Sequence, residues 1–441
     1  MHVFLVCFII YCYFCRKKQN KKDMQYILKA PALINADVTL PASKSVSNRA
    51  LIISAIAGGG IIPDNLSDCD DTNVMISALK EMPPVIDIMA AGTAMRFLTA
   101  YLSITPGEHV ITGTERMRHR PIAIMVDALR YMGADISYEG EEGYPPLRIR
   151  GKQLRGGEIT LSGSVSSQYI SALLMIAPAL ADGLKIKLEG EIISRPYIDL
   201  TIWMMSEFGA KVEWTDIDTI TVEPHPYTPH HYFIENDWSA ASYMYEMMAL
   251  SGSRYDNIVL HGLFDGSKQG DSVVRYIFSL LGVKTEFMDA DPKTGTTVVR
   301  LINTGRCVPK LEYDFVNSPD LAQTFVACCA VMGVPFRFTG LQTLKIKETD
   351  RIEALKSEMR KLGYVIHDFK GCELSWDGER CAPDHSLGID TYEDHRMALA
   401  FAPLAFRIDG LKINNPHVVT KSFPHYWEQL TKMGFVIEEI K

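Results

Sequence analysis

The chain has 441 residues, 47% of them hydrophobic, which is enough for two or three domains with cores of their own and excludes a disordered composition. Its net charge of −8, from 45 basic and 53 acidic residues, argues against a protein that binds nucleic acid by bulk electrostatic attraction. Nine cysteines in a chain of this length are typical of reduced thiols rather than of a disulfide framework.

The first 23 residues differ from the rest of the chain. An apolar run from Val3 to Cys15 is followed by five basic residues between Arg16 and Lys22. A run of about 13 apolar residues is short for a membrane span, and a secretory signal has its basic residues first. We expect the folded protein to begin near Met24, with residues 1–23 a disordered extension or the product of a start assigned too early. A weak membrane anchor is the alternative.

A repeated pattern organises the remainder. An amphipathic helix ends at a glycine suited to a left-handed C-terminal cap, and a strand-like alternation follows. These glycines recur about every 75 residues, and they are Gly133, Gly209, Gly282, Gly363 and Gly434. A degenerate sixth copy covers residues 71–80, where Pro83 and Pro84 replace the glycine.

A second kind of helix alternates with the first. Short polar or glycine-bearing loops lead into helices that are apolar nearly all round, a pattern typical of buried helices. These helices start near Ser45, Gly92, Ser166, Ser239, Pro319 and Asp394. Because single repeats cannot bury their own apolar faces, we predict an α/β (α+β) fold of two lobes with three repeats each. A single large irregular α/β domain is the alternative.

Basic residues stand beside these helix starts. Lys44 and Arg49 flank the first, Arg96 and Arg120 lie near the second, and Arg396 follows the last. The N-terminus of a helix suits phosphate and carboxylate groups. Capping explains the serines and aspartates but not the cations, which need an anionic partner if they are buried. We expect a bound phosphate to supply that partner.

Two carboxylates are candidates for acid–base chemistry. Asp320 follows Asn317-Ser-Pro at a helix start, and Glu348 lies between Lys347 and Arg351. Two acids in a cation-lined cleft can act as proton donor and acceptor. The alternative for the second site is an exposed helix on which Lys347 and Arg351 are i, i+4 neighbours. Dinucleotide and Walker A glycine motifs and metal-ligand spacings are missing from the sequence, so we expect no cofactor and no metal.

Eight segments occur in an order and spacing that match a known family. They are LPASKSVSNRAL (40–51), AGTAMR (91–96), RPI (120–122), GSVSSQ (163–168), SRPY (194–197), KETDR (347–351), DHRM (394–397) and KSFP (421–424). Together they resemble the EPSP synthase (3-phosphoshikimate 1-carboxyvinyltransferase) family of enolpyruvyl transferases. The resemblance implies an inside-out α/β barrel type of fold, with three βαβαββ units in each lobe. Residues 24–42 and 237–441 would form one lobe and residues 43–236 the other, with the active site in the cleft between them.

The resemblance also implies a reaction and a set of site residues. The enolpyruvyl group of phosphoenolpyruvate would pass to the 5-hydroxyl of shikimate 3-phosphate, with release of phosphate, in the shikimate pathway of chorismate and aromatic amino-acid biosynthesis. Shikimate 3-phosphate would be held by Lys44, Ser45, Arg49, Ser166, Ser167, Gln168, Ser194, Asp320 and Lys347. Phosphoenolpyruvate would be held by Lys44, Gly92, Arg120, Gln168, Arg351, Arg396 and Lys421. Glu348 would protonate the methylene carbon, Asp320 would take the hydroxyl proton, and Lys44 would complete the catalytic set.

Two other functions remain open from the sequence. One is the same chemistry on UDP-N-acetylglucosamine, and the other is a catalytically inactive binding protein of the same fold. We expect small-molecule partners, no nucleic acid, no stable membrane association, a monomer and a cytoplasmic location. The resemblance further implies sensitivity to phosphonate inhibitors of the glyphosate type, which the bare backbone at Gly92 would let approach closely.

Overall fold

The computed structural model describes residues 24–384 and 386–440. The predicted extension, residues 1–23, lies outside the described residues, so its nature stays a prediction. Within the described ranges, no helix combines the length and the apolar character that crossing a membrane requires. The cysteines of the described part are free thiols, as predicted: Cys69, Cys307, Cys328, Cys329, Cys372 and Cys381.

Strands and helices alternate along the chain. The strands are β1 (Gln25–Lys29), β2 (Asn35–Thr39), β3 (Val85–Asp87), β4 (Gly107–Thr112), β5 (Asp135–Tyr138), β6 (Leu147–Gly151), β7 (Gly157–Ser162), β8 (Leu184–Glu189), β9 (Val212–Asp216), β10 (Thr219–Val222), β11 (Asn257–Leu263), β12 (Val283–Ala290), β13 (Thr297–Asn303), β14 (Leu311–Asp314), β15 (Phe336–Thr339), β16 (His367–Phe369), β17 (Glu373–Trp376), β18 (Leu411–Asn414) and β19 (Val436–Ile440). The α-helices are α1 (Lys44–Ile56), α2 (Asp70–Glu81), α3 (Gly92–Ile104), α4 (Glu115–Arg118), α5 (Ala123–Tyr131), α6 (Ser167–Ile176), α7 (Arg195–Glu207), α8 (Trp238–Ser251), α9 (Val274–Leu280), α10 (Ala322–Met332), α11 (Arg351–Lys361), α12 (His395–Phe401) and α13 (Tyr426–Lys432).

Four sheets share one topology. Each has two parallel strands, then an antiparallel strand, then an antiparallel edge strand: β3-β4-β6-β5, β7-β8-β10-β9, β2-β11-β13-β12 and β14-β15-β17-β16. A buried helix connects the two parallel strands, and a second helix leads from the second strand to the edge strand. This is the predicted βαβαββ unit.

The remaining two repeats depart from this unit. The fifth is completed by both ends of the described chain, because β1 lies between β18 and β19. The sixth is reduced to a parallel bridge between Asp64 and Phe233. Its helix α2 ends at Glu81 with Met82 as the C-cap, and Pro83 and Pro84 lead directly into β3. The prediction of six copies with one degenerate member is confirmed.

The glycines that were predicted to end the surface helices all have left-handed backbone conformations. Their φ values are 99° at Gly133, 83° at Gly209, 87° at Gly282, 89° at Gly363 and 96° at Gly434. A residue without Cβ adopts this conformation without strain, so the chain can reverse and enter the edge strand.

Buried apolar side chains form two clusters. One draws on residues 28–40 and 238–435, and the other on residues 42–234. The predicted buried helices are central to both: α8 packs against α10 in the first cluster, and α3 packs against α6 in the second. These helices are buried along most of their length, and many of the charged residues predicted for the site lie at or near their N-termini.

The chain crosses between the clusters twice, at neighbouring positions. The backbone N–H of Ser43 donates to Glu235 O at 2.9 Å, and that of Asp237 donates to Pro41 O at 2.8 Å. The second cluster is therefore inserted into one repeat, between β2 and α8. The two connecting segments pair with each other through an antiparallel bridge between Ala42 and Asn236.

Candidate active site

Arg351 lies at the centre of a charged network. Its side chain is buried and donates to Asp394 (Nε–Oδ2 2.6 Å, Nη2–Oδ1 3.2 Å), to Asp320 (Nη1–Oδ1 2.9 Å) and to Glu348 (Nη2–Oε2 3.0 Å). Burial by itself would lower the pKa of Arg351, but Asp394 and the other two carboxylates raise it above its ordinary value. Three carboxylates exceed the charge of one guanidinium, so other cations are needed to balance them.

Residues 347–350, directly before Arg351, are not helical. Helix α11 begins at Arg351, and Asp350 caps it by accepting from the backbone N–H of Ile352 at 3.1 Å. The alternative that placed Lys347 and Arg351 as i, i+4 neighbours on an exposed helix is therefore wrong. Lys347 instead lies with its Nζ 3.3 Å from Asp320 Oδ1.

Asp320 is held between cations. Its second oxygen lies 3.1 Å from Nη2 of Arg396, which follows the first residue of α12. Burial by itself would raise the pKa of Asp320, but Arg396, Lys347 and Arg351 outweigh it and hold the pKa well below its ordinary value. With these neighbours the carboxylate is ionised at neutral pH.

Glu348 has a similar environment. Its Oε1 lies 3.6 Å from Lys421 Nζ, in addition to the contact with Arg351. Burial alone would raise the pKa of Glu348, but Arg351, Lys421 and Arg120 hold it well below its ordinary value. A change in the charge around Lys421 or Arg120 therefore acts directly on the protonation of Glu348.

Asp71 joins the two core clusters within the site. Its Oδ1 lies 3.3 Å from Lys421 Nζ and its Oδ2 lies 3.1 Å from Lys44 Nζ. Lys421 also donates to the carbonyl oxygen of Ala90 at 2.6 Å. Burial would lower the pKa of Lys44, but Asp71 outweighs this and raises it, so the ammonium group is charged.

His395 adds a buried imidazole to the network, with its Nδ1 3.6 Å from Asp394 Oδ1. It is buried, and neither ring nitrogen makes a hydrogen bond to any residue of the described chain. Burial, with further contributions from Lys44 and Arg396, holds the pKa of His395 well below its ordinary value. The imidazole is therefore neutral beside Glu348.

A pair of arginines faces the start of α3. Arg96 Nη1 donates to Gly92 O at 2.9 Å, and a Cβ on Gly92 would lie 2.6 Å from Nη1 of Arg120. In the described residues no carboxylate comes within 4 Å of Arg96 or Arg120. Burial, together with the neighbouring Arg96, lowers the pKa of Arg120 to about 10. This pair is a cationic surface without an anion of its own.

Arg49 is a buried cation held by neutral groups. It donates to Thr201 Oγ1 at 2.7 Å, Ser45 O at 2.9 Å, Tyr197 O at 3.2 Å and Ser171 Oγ at 3.3 Å. Burial lowers its pKa to about 10. The side chain links α1, α6 and α7, and its guanidinium group is held next to Ser45 by the hydrogen bond to the carbonyl oxygen of that residue.

The predicted serines lie at helix starts. Ser166 caps α6 by accepting from the backbone N–H of Gln168 at 3.4 Å, and Ser167 is the first residue of that helix. Gln168 Nε2 donates to Thr93 Oγ1 at 3.2 Å, which brings it to the start of α3. Ser194 precedes α7 and has a left-handed φ of 54°.

A pocket between the two clusters contains residues from both. It is lined by Lys44, Ser45, Tyr197, Asp237, Ser239, Ala240, Tyr243, Asp320, Arg396 and Ser422. A larger groove, lined by residues between Asn73 and Asp87, contains none of the predicted site residues. The pocket between the clusters is therefore the one that the charged network surrounds.

Direct contacts join most of the predicted residues, but not all of them. The network contains Lys44, Asp320, Lys347, Glu348, Arg351, Arg396 and Lys421, and the start of α3 adds Gly92, Arg120 and Gln168. Arg49, Ser166, Ser167 and Ser194 adjoin these through their helices. The sequence reasoning missed Asp71 and His395 as members, and it treated Asp394 only as a cap. The acidic pair at the start of α2 was the available signal for Asp71.

Two lobes of repeated βαβαββ units, with charged groups between them, define the enolpyruvyl transferase class of fold. The model of the EPSP synthase (3-phosphoshikimate 1-carboxyvinyltransferase) family matches residues 28–89 and 81–430. The chain therefore belongs to the EPSP synthase family.

Individual relatives agree with this assignment. A 3-phosphoshikimate 1-carboxyvinyltransferase from Bacteroides fragilis is 59% identical over 415 residues, covering 94% of this chain and 99% of the relative. One from Shewanella pealeana is 32% identical over 446 residues, covering 94% and 100%. The EPSP synthase structure from Acinetobacter baumannii superposes with a TM-score of 0.75 at 20% identity, covering 95% of this chain and all of that one, which supports the fold. The family and the fold inferred from the eight segments are confirmed.

Proposed function

We propose that this chain transfers the enolpyruvyl group of phosphoenolpyruvate to the 5-hydroxyl of shikimate 3-phosphate and releases phosphate. The observation that carries the proposal is the pairing of Asp320 and Glu348 around Arg351, beside cations from both lobes, in a member of the EPSP synthase family. The 59% identity to a 3-phosphoshikimate 1-carboxyvinyltransferase favours this acceptor over a UDP-sugar. The intact set of acids and cations argues against an inactive binding protein.

The two substrates use different parts of the cleft. Phosphoenolpyruvate is held by cations, which suit a trianion, and by the open backbone at the start of α3: Lys44, Gly92, Arg120, Gln168, Arg351, Arg396 and Lys421. Serine hydroxyls and helix N-termini suit the phosphate monoester of shikimate 3-phosphate: Lys44, Ser45, Arg49, Ser166, Ser167, Gln168, Ser194, Asp320 and Lys347. Arg49 contributes its positive charge near Ser45, because its own donors are bound to neutral protein oxygens.

Glu348 is the proton donor to the methylene carbon. Its pKa is low because the positive charges of Arg351, Lys421 and Arg120 favour the ionised carboxylate. The carboxylate and phosphate of phosphoenolpyruvate bind Lys421 and Arg120, cancel that influence, and so raise the pKa of Glu348 until it carries a proton. Transfer of this proton to the methylene carbon makes the adjacent carbon cation-like.

Asp320 is the base for the acceptor hydroxyl. It is ionised, and it lies in the pocket with Lys44 and Ser45. As Asp320 takes the proton, the hydroxyl oxygen bonds to the cation-like carbon and a tetrahedral adduct forms. The adduct then loses phosphate and a proton from its new methyl group, which restores the double bond. The clustered cations stabilise the charge on the departing phosphate, and closure of the lobes excludes water.

The division into lobes belongs to the same proposal. Residues 24–42 with 237–441 form one lobe and residues 43–236 the other, supported by the two core clusters and by the paired crossings at Ser43 and Asp237. We further propose a monomer that acts in the cytoplasm, where free thiols such as those of this chain persist.

The test is an assay of phosphate release by the full chain. Phosphoenolpyruvate is supplied with either shikimate 3-phosphate or UDP-N-acetylglucosamine. Release of phosphate with shikimate 3-phosphate but not with the UDP-sugar as acceptor supports the proposal. Release only with the UDP-sugar overturns the acceptor, and release with neither, from a folded sample, overturns the activity. A preparation from host cells that lack this chain, purified in parallel, measures any contaminating enzyme.

A further inference from the structure

Asp271 connects the lobes at a place that the reaction above does not use. It lies in the turn Gly270–Val273 of the first lobe and is buried. One oxygen accepts from the Tyr197 hydroxyl at 3.0 Å, and the other accepts from the hydroxyl of Ser239. Tyr197 belongs to α7 in the other lobe, so this carboxylate receives a hydrogen bond from each side of the cleft.

The backbone brings the same two elements into close approach. A Cβ on Gly270 would lie 2.7 Å from Cβ of Pro196, so the α7 start rests directly on the turn. The N–H of Ser194 donates to Val316 O at 3.0 Å, again between lobes. Ser194 is a proposed ligand of shikimate 3-phosphate. The contacts that fix the start of α7 against the first lobe therefore also position part of the site.

Asp271 also determines how two pocket hydroxyls are oriented. Tyr197 and Ser239 both line the pocket that contains Lys44, Asp320 and Arg396. A hydroxyl has one proton, so a hydroxyl that donates to Asp271 can only accept from its other neighbours. Both oxygens are therefore acceptors towards the pocket while Asp271 is ionised.

We propose that Asp271 is a positioning residue that seats the start of α7 against the first lobe by accepting hydrogen bonds from Tyr197 and Ser239. The inference rests on the proposed function, because its kinetic consequence concerns the binding of shikimate 3-phosphate. It adds a residue to the site that neither the eight segments nor the charged network contains.

The titration of Asp271 supplies a signature that a purely structural contact lacks. Burial raises its pKa to about 6, with Arg396 lowering it and Asp320 and Asp237 raising it; Tyr197 is the titratable group facing it from α7. Burial of the ionised form is unfavourable, so contact between the lobes is favoured as the pH falls through about 6. Above that pH the buried carboxylate is charged and is stabilised by the hydrogen bonds from its two hydroxyl donors. Below that pH the carboxyl group is neutral, and the loss of one of these hydrogen bonds costs less.

The experiment measures the KM for shikimate 3-phosphate in Tyr197→Phe at pH 8 and pH 5.5, each relative to the unchanged protein. We expect a rise of about tenfold at pH 8, the size of a lost hydrogen bond to a charged group, and less than threefold at pH 5.5, with little change in kcat. Tyr197→Phe made in an Asp271→Asn background should also raise KM less than threefold. Equal effects at both pH values, or an undiminished effect in that background, would overturn the proposal.

Two further measurements keep the test decisive. Tyr227→Phe is the matched control, because its hydroxyl donates to a neutral carbonyl, Met175 O, at 2.9 Å; we expect no pH-dependent change in KM. Small-angle scattering without substrates should show Tyr197→Phe more expanded than the unchanged protein at pH 8 but not at pH 5.5. If the unchanged protein releases no phosphate, the proposed function fails, while scattering still tests the contact of Asp271 with the start of α7. Identical scattering of the two proteins at pH 8 would count against Asp271.

Discussion

The two sides of the cleft carry comparable cations but neutralise them differently. In the lobe that contains α11 and α12, Arg351 contacts three carboxylates and Arg396 contacts Asp320. In the lobe that contains α1 and α3, the hydrogen bonds of Arg49 go to neutral oxygens, and Arg96 donates to the carbonyl oxygen of Gly92. The first side is a balanced framework, whereas the second has an excess of positive charge.

This difference separates two tasks. A balanced network holds Asp320 and Glu348 in fixed positions, because every carboxylate has a cation on at least one side. An unbalanced surface is unfavourable for the protein alone, as the lowered pKa of Arg120 indicates, and is relieved by a bound anion. Substitutions of cations on the balanced side should therefore mainly lower the stability of the protein, whereas those on the unbalanced side should mainly weaken substrate binding.

The largest effect is expected from Arg351→Met. Removal of this guanidinium leaves Asp394, Asp320 and Glu348 without their shared partner, which should lower the free energy of unfolding by about 3–5 kcal/mol and abolish turnover. Urea denaturation measures this. Arg337→Met is the control, since Arg337 binds Glu373 through two hydrogen bonds at the surface and its loss should cost under about 1 kcal/mol. Equal losses in the two variants would remove the distinction between the sides.

Glu348→Gln should lose turnover by about 10²- to 10⁴-fold, because the amide cannot donate the proton. Both substrates should still bind, as isothermal titration would record, since the cations remain. Glu353→Gln is a suitable control: this residue follows Glu348 closely in the chain, in the first turn of α11, but is exposed and contacts Lys356 at 2.7 Å. Near-normal turnover in Glu348→Gln would assign the proton donor elsewhere.

Arg120→Met should raise the KM for phosphoenolpyruvate about 10- to 100-fold, which corresponds to a lost charged hydrogen bond. In contrast to Arg351→Met, it should leave the free energy of unfolding unchanged or raise it, because the repulsion from Arg96 is removed. Steady-state kinetics measures the change in KM and urea denaturation measures the free energy of unfolding. Arg116→Met, at an exposed position, is the control. A destabilised Arg120→Met would mean that the second side is also balanced.

The smallest effect is expected from Gly92→Ala. The added methyl group would lie 2.6 Å from Arg120 Nη1 and 2.9 Å from Arg96 Nη1, and both are ends of flexible side chains that can move. Stability should change little, whereas the KM for phosphoenolpyruvate should rise about tenfold and inhibition by glyphosate should weaken. Inhibition assays against phosphoenolpyruvate measure this. Unchanged values would show that the backbone at Gly92 is not part of the binding surface.

Much of the architecture was readable in the sequence. The spacing of the glycines predicted the helix–strand reversals, and helices without a polar face predicted the buried layers, because local backbone preference and amphipathic pattern act over short stretches. The cations beside the helix starts indicated an anion site before any distance was known. Lys347 and Arg351 show the limit: their spacing fits an exposed helix equally well, and only the cap at Asp350 excludes it.

What the sequence by itself determined was the repeat, the family and the chemical character of the site. Tertiary structure alone decided which cations are neutralised. Asp71 meets Lys44 within its own lobe and Lys421 across the cleft, and Asp271 meets Tyr197 across the cleft, although the partners are far apart in the chain. Charge balance depends on distance and burial in space, and a pattern along the chain records neither.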